Sequence, residues 1–246
     1  MKKKISSFMI FFMLIISSFT FAKGQDKLIV GTDATEFQPF EYMENGEITG
    51  FDIELIKEIG KVLGKEVEFK NISFSGLLPA LQVGKLDAVI AGLTVTDERK
   101  KYINFSESYY TSKQLIIVNK NNNKIKSLDD LEGYKVGVVL GCTGDLLGTE
   151  MKDKIELNRY NTTSQCIIAL NHNKIDAIIL DSEPAKNFVK HNKKLKLINN
   201  DAAKEEYAIA ISKKDKELLN DINYGLNTLK ENGIYKKLSE KYFIQD

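Results

Sequence analysis

The pattern A-L-x-x-x-K-[L/I]-D-A-[V/I]-I occurs twice, as Ala80-Leu-Gln-Val-Gly-Lys-Leu-Asp-Ala-Val-Ile90 and as Ala169-Leu-Asn-His-Asn-Lys-Ile-Asp-Ala-Ile-Ile179, 89 residues apart. Each copy reads as a helix end, a tight turn and a buried β-branched strand. Any helix–strand unit needs a leucine-rich helix end and an apolar strand, so part of the likeness is inexpensive. The number of matched positions nevertheless favours two related lobes over one continuous domain. Two lobes leave a cleft between them, and in open α/β sheets ligands bind beyond the carboxyl ends of the strands. The residues that follow the two repeated strands, Gly92-Leu-Thr94 and Asp181-Ser-Glu183, are therefore where a site is expected.

The rest of the chain fits that frame. From Lys27 onward short β-rich runs alternate with amphipathic stretches, which predicts a parallel-sheet α/β architecture. Asp52 is the expected N-cap of a helix carrying Leu55, Ile56, Ile59, Val62 and Leu63 on one face and stopped by Gly64. A second helix is expected from Ser75 to Val83, closing at Gly84 before a strand Leu86–Ala91. Gln114–Val118 reads as a crossing strand, Lys120–Lys126 as a polar surface loop, and Ser127 as the cap of a short helix. Lys135–Leu140 is a strand leading into the turn Leu140-Gly-Cys-Thr-Gly-Asp145. Tyr207–Ser212 is one more strand, followed by a long amphipathic helix, Asp215–Asn232, and a final helix, Ile234–Phe243.

The N-terminus narrows the cellular setting. Met-Lys-Lys-Lys precedes an apolar run, Phe8–Phe21, and a small-x-small site compatible with cleavage after Ala22. The run is shorter than the roughly 20 residues a membrane span needs, so residues 1–22 are expected to be a signal peptide. No cysteine lies near that site to carry a lipid, and release into a periplasm is the expectation. Without residues 1–22 the chain has 32 basic and 34 acidic side chains, a balance that argues against a nucleic-acid or anionic-membrane partner. Two cysteines, Cys142 and Cys166, are too few for a disulfide scaffold, although an oxidising compartment permits them to pair.

Catalytic and metal chemistry lack their usual parts. There are two histidines, His172 and His191, with no H-E-x-x-H, C-x-x-C, G-x-S-x-G or phosphate loop, and neither a cofactor nor a metal is expected. The informative segment is Gly92-Leu-Thr-Val-Thr-Asp-Glu-Arg99. Arg99 reads either as a solvated charge in a D-E-R-K-K cluster or as a planar two-pronged partner for a carboxylate, with the Thr94 hydroxyl and the backbone at Gly92 completing the site. Asp33, Phe37 and Phe40 follow the first strand, and Phe74 precedes the second helix; such phenylalanines serve as core or as ligand platform. Asp181 reads as a helix N-cap or as a site acid.

Taken together these motifs resemble the solute-binding proteins of polar amino-acid ABC transporters, family 3. The resemblance covers nearly the whole mature chain. It rests on Gly31–Glu41, Gly50–Glu54, Gly76–Asp87, Gly92–Arg99 continuing to Phe105–Tyr110, Leu128–Gly133, Val136–Gly141, Asp176–Asp181 and Ile234–Leu238. It implies a two-lobed periplasmic-binding-protein-like type II fold, with lobe 1 from residues 23–112 and 209–246, lobe 2 from 113–208, and a hinge near Thr111–Gln114 and Glu205–Ile209. It implies no enzymatic activity, a free amino acid as cargo, a membrane permease as partner, and a monomer.

Carried over residue by residue, Arg99 resembles the carboxylate-binding arginine, with Gly92 and Thr94 as companions. Thr143 resembles the lobe 2 residue that closes on the same carboxylate, Asp181 the acid for the α-ammonium, and Phe37 and Phe74 the aromatic walls. Two departures touch side-chain recognition. The segment Ala34–Phe40 is one residue longer than the pattern, so either Glu36 or Phe37 faces the ligand, and Cys142 stands where a small hydroxyl residue is common. Asp33 and Glu36 suit a cationic side chain by charge complementarity. The competing enzymatic expectation is a prephenate or arogenate dehydratase, which needs a general acid such as Glu36 or Glu183.

Overall fold

The computed structural model describes residues 27–198 and 204–243, so the expected signal peptide over residues 1–22 lies outside the described residues. The first half of the chain runs β1 (Lys27–Thr32), β2 (Glu36–Phe37), β3 (Glu41–Glu44), β4 (Glu47–Thr49), α1 (Phe51–Leu63), β5 (Glu66–Asn71), α2 (Phe74–Gln82), β6 (Ala88–Val89), α3 (Asp97–Lys100), β7 (Ile103–Phe105) and β8 (Tyr110–Asn119). After a single 3-10 turn come β9 (Lys135–Val139), α4 (Thr143–Glu150), β10 (Glu156–Tyr160), α5 (Thr163–Asn171), β11 (Ala177–Asp181), α6 (Ser182–His191) and β12 (Leu195–Ile198). The chain closes with β13 (Lys204–Tyr207), β14 (Ala210–Ser212), α7 (Lys216–Glu231) and α8 (Ile234–Phe243).

Among the described residues these strands form one main sheet per lobe and a small antiparallel sheet of order β2-β3-β4. In lobe 1 the order is β5-β1-β6-β14-β7, with β1 parallel to β5 and β6 and β14 antiparallel to β6. In lobe 2 it is β10-β9-β11-β8-β12, with β9 parallel to β10 and β11 and β8 antiparallel to β11. The two sheets therefore share one plan, three parallel strands and then an antiparallel fourth. In each, the fourth strand comes from a crossing segment.

The repeated sequence occupies the same place in both lobes and makes the same bonds in each. Lys85 N–H bonds the Ala80 carbonyl and Lys174 N–H the Ala169 carbonyl, each at 2.9 Å, closing the helix end. The turn needs a left-handed residue, which is Gly84 (φ 75) in one lobe and Asn173 (φ 54) in the other, the two residue types that tolerate it best. The repeated aspartates then anchor the neighbouring strand. Asp87 accepts from Ile29 N–H at 2.7 Å, and Asp176 accepts from Lys135 N–H at 2.9 Å.

Each sheet is covered on both faces. Helix α1 presents Leu55, Ile56 and Ile59, all fully buried, to a core shared with Leu218, Ile222, Leu226 and Leu229 of α7. On the opposite face of that sheet α2 packs Leu77 and Leu81 against Val89 and Ile103. Lobe 2 repeats the arrangement with Cys166, Ile167 and Leu170 of α5 on one face and Ile116, Val136 and Ile179 looking to the other.

The crossing segments pair with each other. The first half of β8 forms an antiparallel ladder with β13, Tyr110 opposite Tyr207 and Ser112 opposite Glu205, while its second half belongs to the lobe 2 sheet. Tyr110 and Tyr207 are held at the lobe 1 end in an aromatic cluster, their rings 4.9 and 5.2 Å from that of Phe40, with Phe243 4.6 Å from Tyr110. This two-strand ladder occupies the segments expected as the hinge between the lobes.

Several local expectations are corrected. Asp52 is not the N-cap of α1. The helix starts at Phe51 after Gly50, whose φ of 124 places an added Cβ 2.1 Å from the Phe40 carbonyl oxygen, so only glycine can sit there. Ser127 caps no α-helix; Asp129–Leu131 is one 3-10 turn, with the Ser127 hydroxyl on the Asp130 carboxylate. Asp181 stands at the N-cap position of α6 without making a side-chain cap bond, its carboxylate being engaged elsewhere. The expected helix Ser75–Val83 and strand Leu86–Ala91 are found as Phe74–Gln82 and Ala88–Val89. Cys142 and Cys166 are both free thiols.

Candidate functional site

The carboxyl ends of β1, β6, β9 and β11 converge at the seam between the lobes. After β6 the chain turns at Gly92, in left-handed conformation (φ 51), and its N–H goes to the buried Asp52 carboxylate at 2.8 Å. Thr94 bridges to Tyr207 of the hinge, and Thr96 caps the one-turn helix α3 by accepting from Arg99 N–H at 3.1 Å. Arg99 thereby points inward and is only 8 % exposed. It is not a solvated surface charge.

The guanidinium of Arg99 spans the two lobes. Nη1 donates to the Thr94 carbonyl at 2.5 Å and Nη2 to the Gly141 carbonyl of lobe 2 at 3.0 Å. Its Cζ lies over the Phe74 ring, 5.6 Å from the ring centre. Five N–H groups serve two carbonyls here, so donors remain for a carboxylate. Burial lowers the Arg99 pKa, against the attraction of Asp181 and Glu205.

On lobe 2 the turn 141–145 is fixed by Asp145, which accepts from Gly141 N–H at 3.0 Å and from Arg159 Nε at 2.7 Å. This sets Thr143 as the first residue of α4, at a helix end whose N–H groups favour an anion. The Thr143 hydroxyl donates to Glu205 at 2.9 Å, and Thr94 donates to the same oxygen at 3.0 Å. Gln114 Nε2 adds a third bond to that oxygen at 3.1 Å. Asp181, at the end of β11, is 4 % exposed and accepts from the Tyr207 hydroxyl at 2.5 Å. Burial, reinforced by Glu205, pushes the Asp181 carboxyl up to about 7.

Next to this head-group cluster lies a small cavity lined by Asp33, Thr35, Glu36, Phe37, Glu41, Phe74, Val139, Cys142, Asn161, Thr162, Thr163 and Leu180. Phe37 packs on the cores of both lobes, and Gly92 is required beside it, because a Cβ there would lie 2.4 Å from the Phe37 ring. Both Glu36 and Phe37 face the cavity, so the extra residue in that segment places two candidates where one was expected. Asp33 holds one donor on each oxygen, Phe74 N–H and the Thr35 hydroxyl, both at 2.9 Å, and burial raises its pKa.

The eight residues singled out in the sequence thus fall into two adjoining groups. Arg99, Thr94, Gly92, Thr143 and Asp181 gather around the seam, and Asp33, Phe37 and Phe74 line the cavity. Glu205, Gln114 and Glu41 were missed as site residues. Glu205 and Gln114 enter only through the β8–β13 pairing, which no local pattern reveals, and Glu41 hides in the apolar context Pro-Phe-Glu-Tyr. Glu41 is 1 % exposed, and its pKa is raised well above the usual carboxylate range by burial and then by Asp52. Among the described residues no group of His, Cys, Asp or Glu is arranged to hold a metal ion.

The lobes meet over the cavity through further direct bonds. Glu36 of lobe 1 accepts from Ser164 N–H at the start of α5 at 3.0 Å, and Asn187 donates to Gln38 at 2.8 Å.

A two-lobed type II fold closed by a hinge ladder on a buried cation and buried acids defines an extracytoplasmic solute-binding protein. The chain matches the bacterial extracellular solute-binding proteins, family 3, over residues 28–245 and belongs to that family. It is 38 % identical over 224 residues to the arginine-binding extracellular protein ArtP of Bacillus subtilis, covering 89 % of this chain and 87 % of that one. It is 35 % identical over 220 residues to a probable histidine-binding protein of Campylobacter jejuni, covering 89 % and 85 %. An ancestral arginine-binding protein solved with arginine superposes with a TM-score of 0.85 at 43 % identity, covering 89 % of this chain and 99 % of that one. With relatives of this kind the chain is a binding protein of the amino-acid ABC-transporter type and not an enzyme, and the dehydratase expectation is set aside.

Proposed function

We propose that the cleft binds a free L-amino acid with a cationic side chain, arginine first among them, and presents it to an ABC permease. The carrying observation is the charge balance of the closed site. Among the described residues the site holds one buried cation, Arg99, with Asp181 and Glu205 beside it, and three further carboxyl groups, Asp33, Glu36 and Glu41, around the adjoining cavity. Burial raises the pKa of Asp33, and that of Glu41 well above the usual range, so part of the charge is held back in the empty site. A dibasic amino acid brings two cations and one carboxylate, which is the complement required.

The polarity of the ligand follows from the same geometry. Its carboxylate meets Arg99 and the N-terminus of α4, its ammonium meets Asp181, and its side chain runs between Phe37 and Phe74 toward Asp33, Glu36 and Glu41. Opposite charges supplied from two lobes bind a zwitterion best when the lobes are closed, and closure is the state a permease can read. In this reading the units that move are residues 23–112 with 209–246 and residues 113–208, flexing at the β8–β13 ladder. The names of the relatives, which include arginine-, histidine-, glutamine- and cystine-binding proteins, are consistent with a polar cargo. The protein acts as a monomer in the extracytoplasmic space, with a signal peptide over residues 1–22.

The test is a set of thermal melts on protein stripped of ligand by unfolding and refolding, with each of the twenty amino acids, before and after Arg99→Ala. A ligand at about a hundred times its dissociation constant stabilises the native state by roughly 2.7 kcal/mol. Arginine, lysine or histidine should raise the melting temperature of the unaltered protein only. A shift confined to acidic or apolar amino acids would overturn the cationic assignment.

A further inference from the structure

Glu205 lies on strand β13 and enters the reading above only as one charge among five, yet a single one of its oxygens accepts from three side chains on three different elements. These are the Thr94 hydroxyl at 3.0 Å from lobe 1, the Thr143 hydroxyl at 2.9 Å from lobe 2 and Gln114 Nε2 at 3.1 Å from the hinge strand β8. Gln114 Nε2 also donates to the Thr143 hydroxyl oxygen at 3.0 Å. Its amide must present nitrogen on that side, because the opposite orientation would set its carbonyl oxygen against a carboxylate.

A hydroxyl has one proton and two lone pairs. With both protons drawn to Glu205, Thr94 and Thr143 have none left to give a ligand, and each can only accept. A ligand carboxylate needs donors and an ammonium needs acceptors. Resting on the amino-acid reading above, we propose that Glu205 is a positioning residue that sets the polarity of the head-group subsite. It commits the Thr94 and Thr143 hydroxyl protons so that their oxygens serve the ligand's α-ammonium together with Asp181, leaving the carboxylate to Arg99 and to main-chain N–H groups. Because the two threonines belong to different lobes, the same carboxylate makes the acceptor pair only when the lobes are together.

The consequence is a selectivity that a purely structural residue would not confer. The probes are L-arginine and 5-guanidinopentanoate, the same molecule without its α-ammonium, measured by titration calorimetry. Glu205→Met removes the acceptor and frees both hydroxyl protons. It is expected to weaken L-arginine at least tenfold while leaving 5-guanidinopentanoate within about twofold, a loss in the range of one hydrogen bond to a charged group. Glu205→Gln, whose carbonyl oxygen still accepts both protons, should recover part of the discrimination. Should the methionine variant not fold, Thr94→Val makes the same separation, since loss of an acceptor harms the ammonium-bearing ligand alone. Equal weakening of both probes, or weakening of neither, overturns the inference. If L-arginine does not bind the unaltered protein, the cationic-cargo reading falls instead, and the comparison is then run with L-glutamine and its analogue lacking the α-ammonium, with the same two outcomes deciding for or against Glu205.

Discussion

Tyr207 of strand β13 donates its phenolic hydrogen to Asp181 at 2.5 Å, so the acid at the end of β11 is held by the ladder that joins the two sheets. The bond favours the ionised carboxylate, but burial outweighs it and carries Asp181 up to about 7. The same tyrosine is locked in the Phe40 cluster of lobe 1. Charge state, hinge and lobe contact are thus joined at one side chain.

This fixes the pH dependence. A carboxyl whose folded-state pKa lies above its unfolded value of 3.8 binds its proton more tightly when folded, so its contribution to stability falls as pH rises from about 4 to about 7 and is flat above. Asp52, raised to about 6 by burial, adds a second loss over about pH 4 to 6. Ligand binding runs the other way, because an ammonium requires the ionised Asp181. Affinity for the cargo amino acid should be on the order of ten- to a hundred-fold weaker at pH 5 than at pH 8, and Asp181→Asn should flatten that profile. Calorimetric titrations at the two pH values would check both statements.

Arg99→Lys is expected to keep the charge and lose the function. A lysine ammonium is a point donor and cannot bond the Thr94 and Gly141 carbonyls in one plane while presenting two parallel N–H groups to a carboxylate. Loss of a buried, hydrogen-bonded charge partner costs about 2–5 kcal/mol, so binding should weaken at least about thirtyfold with the melting temperature of the empty protein much less affected. Fluorescence or calorimetric titration of the variant measures it.

How much of this was legible in the sequence depends on where the information sits. The doubled A-L-x-x-x-K-[L/I]-D-A motif reports both lobes, because its turn residue and its aspartate each answer a local backbone need repeated in each sheet. The same strands lead to Arg99 and Asp181, Asp181 ending the second repeated strand and Arg99 following the first after the turn at Gly92 and the helix α3. Glu205 and Gln114 are not legible in this way. They become neighbours only when β13 pairs with β8 across 91 residues of chain, and no period or turn signal carries that register. The start of α1 was misread because Asp52 is a good cap residue by type, while the decisive fact, the close approach of Gly50 to the Phe40 carbonyl, is tertiary.

The bond from Ser164 N–H to the Glu36 carboxylate joins lobe 2 to lobe 1 at the N-terminus of α5, where negative charge is favoured. Glu36→Ala should remove about 1 kcal/mol from the closed state, comparable to loss of a helix cap. Small-angle scattering of the empty protein should then show a larger radius of gyration than the unaltered protein, and affinity for the cargo should drop about fivefold through faster release.

Gly92→Ala tests whether the cavity wall and the carboxylate site are one unit. At φ 51 an alanine carries a left-handed penalty of roughly 1–2 kcal/mol, and its Cβ would lie 2.4 Å from the Phe37 ring, which must shift. Phe37 packs on both cores, so its displacement should reach each lobe. The expected result is a destabilisation of about 2–3 kcal/mol by urea unfolding, with binding weakened more for a long side chain that passes Phe37 than for a short one. Equal weakening for arginine and for a short polar amino acid would place Phe37 outside the side-chain path. Preservation of both would show that the ring yields without contact to the ligand.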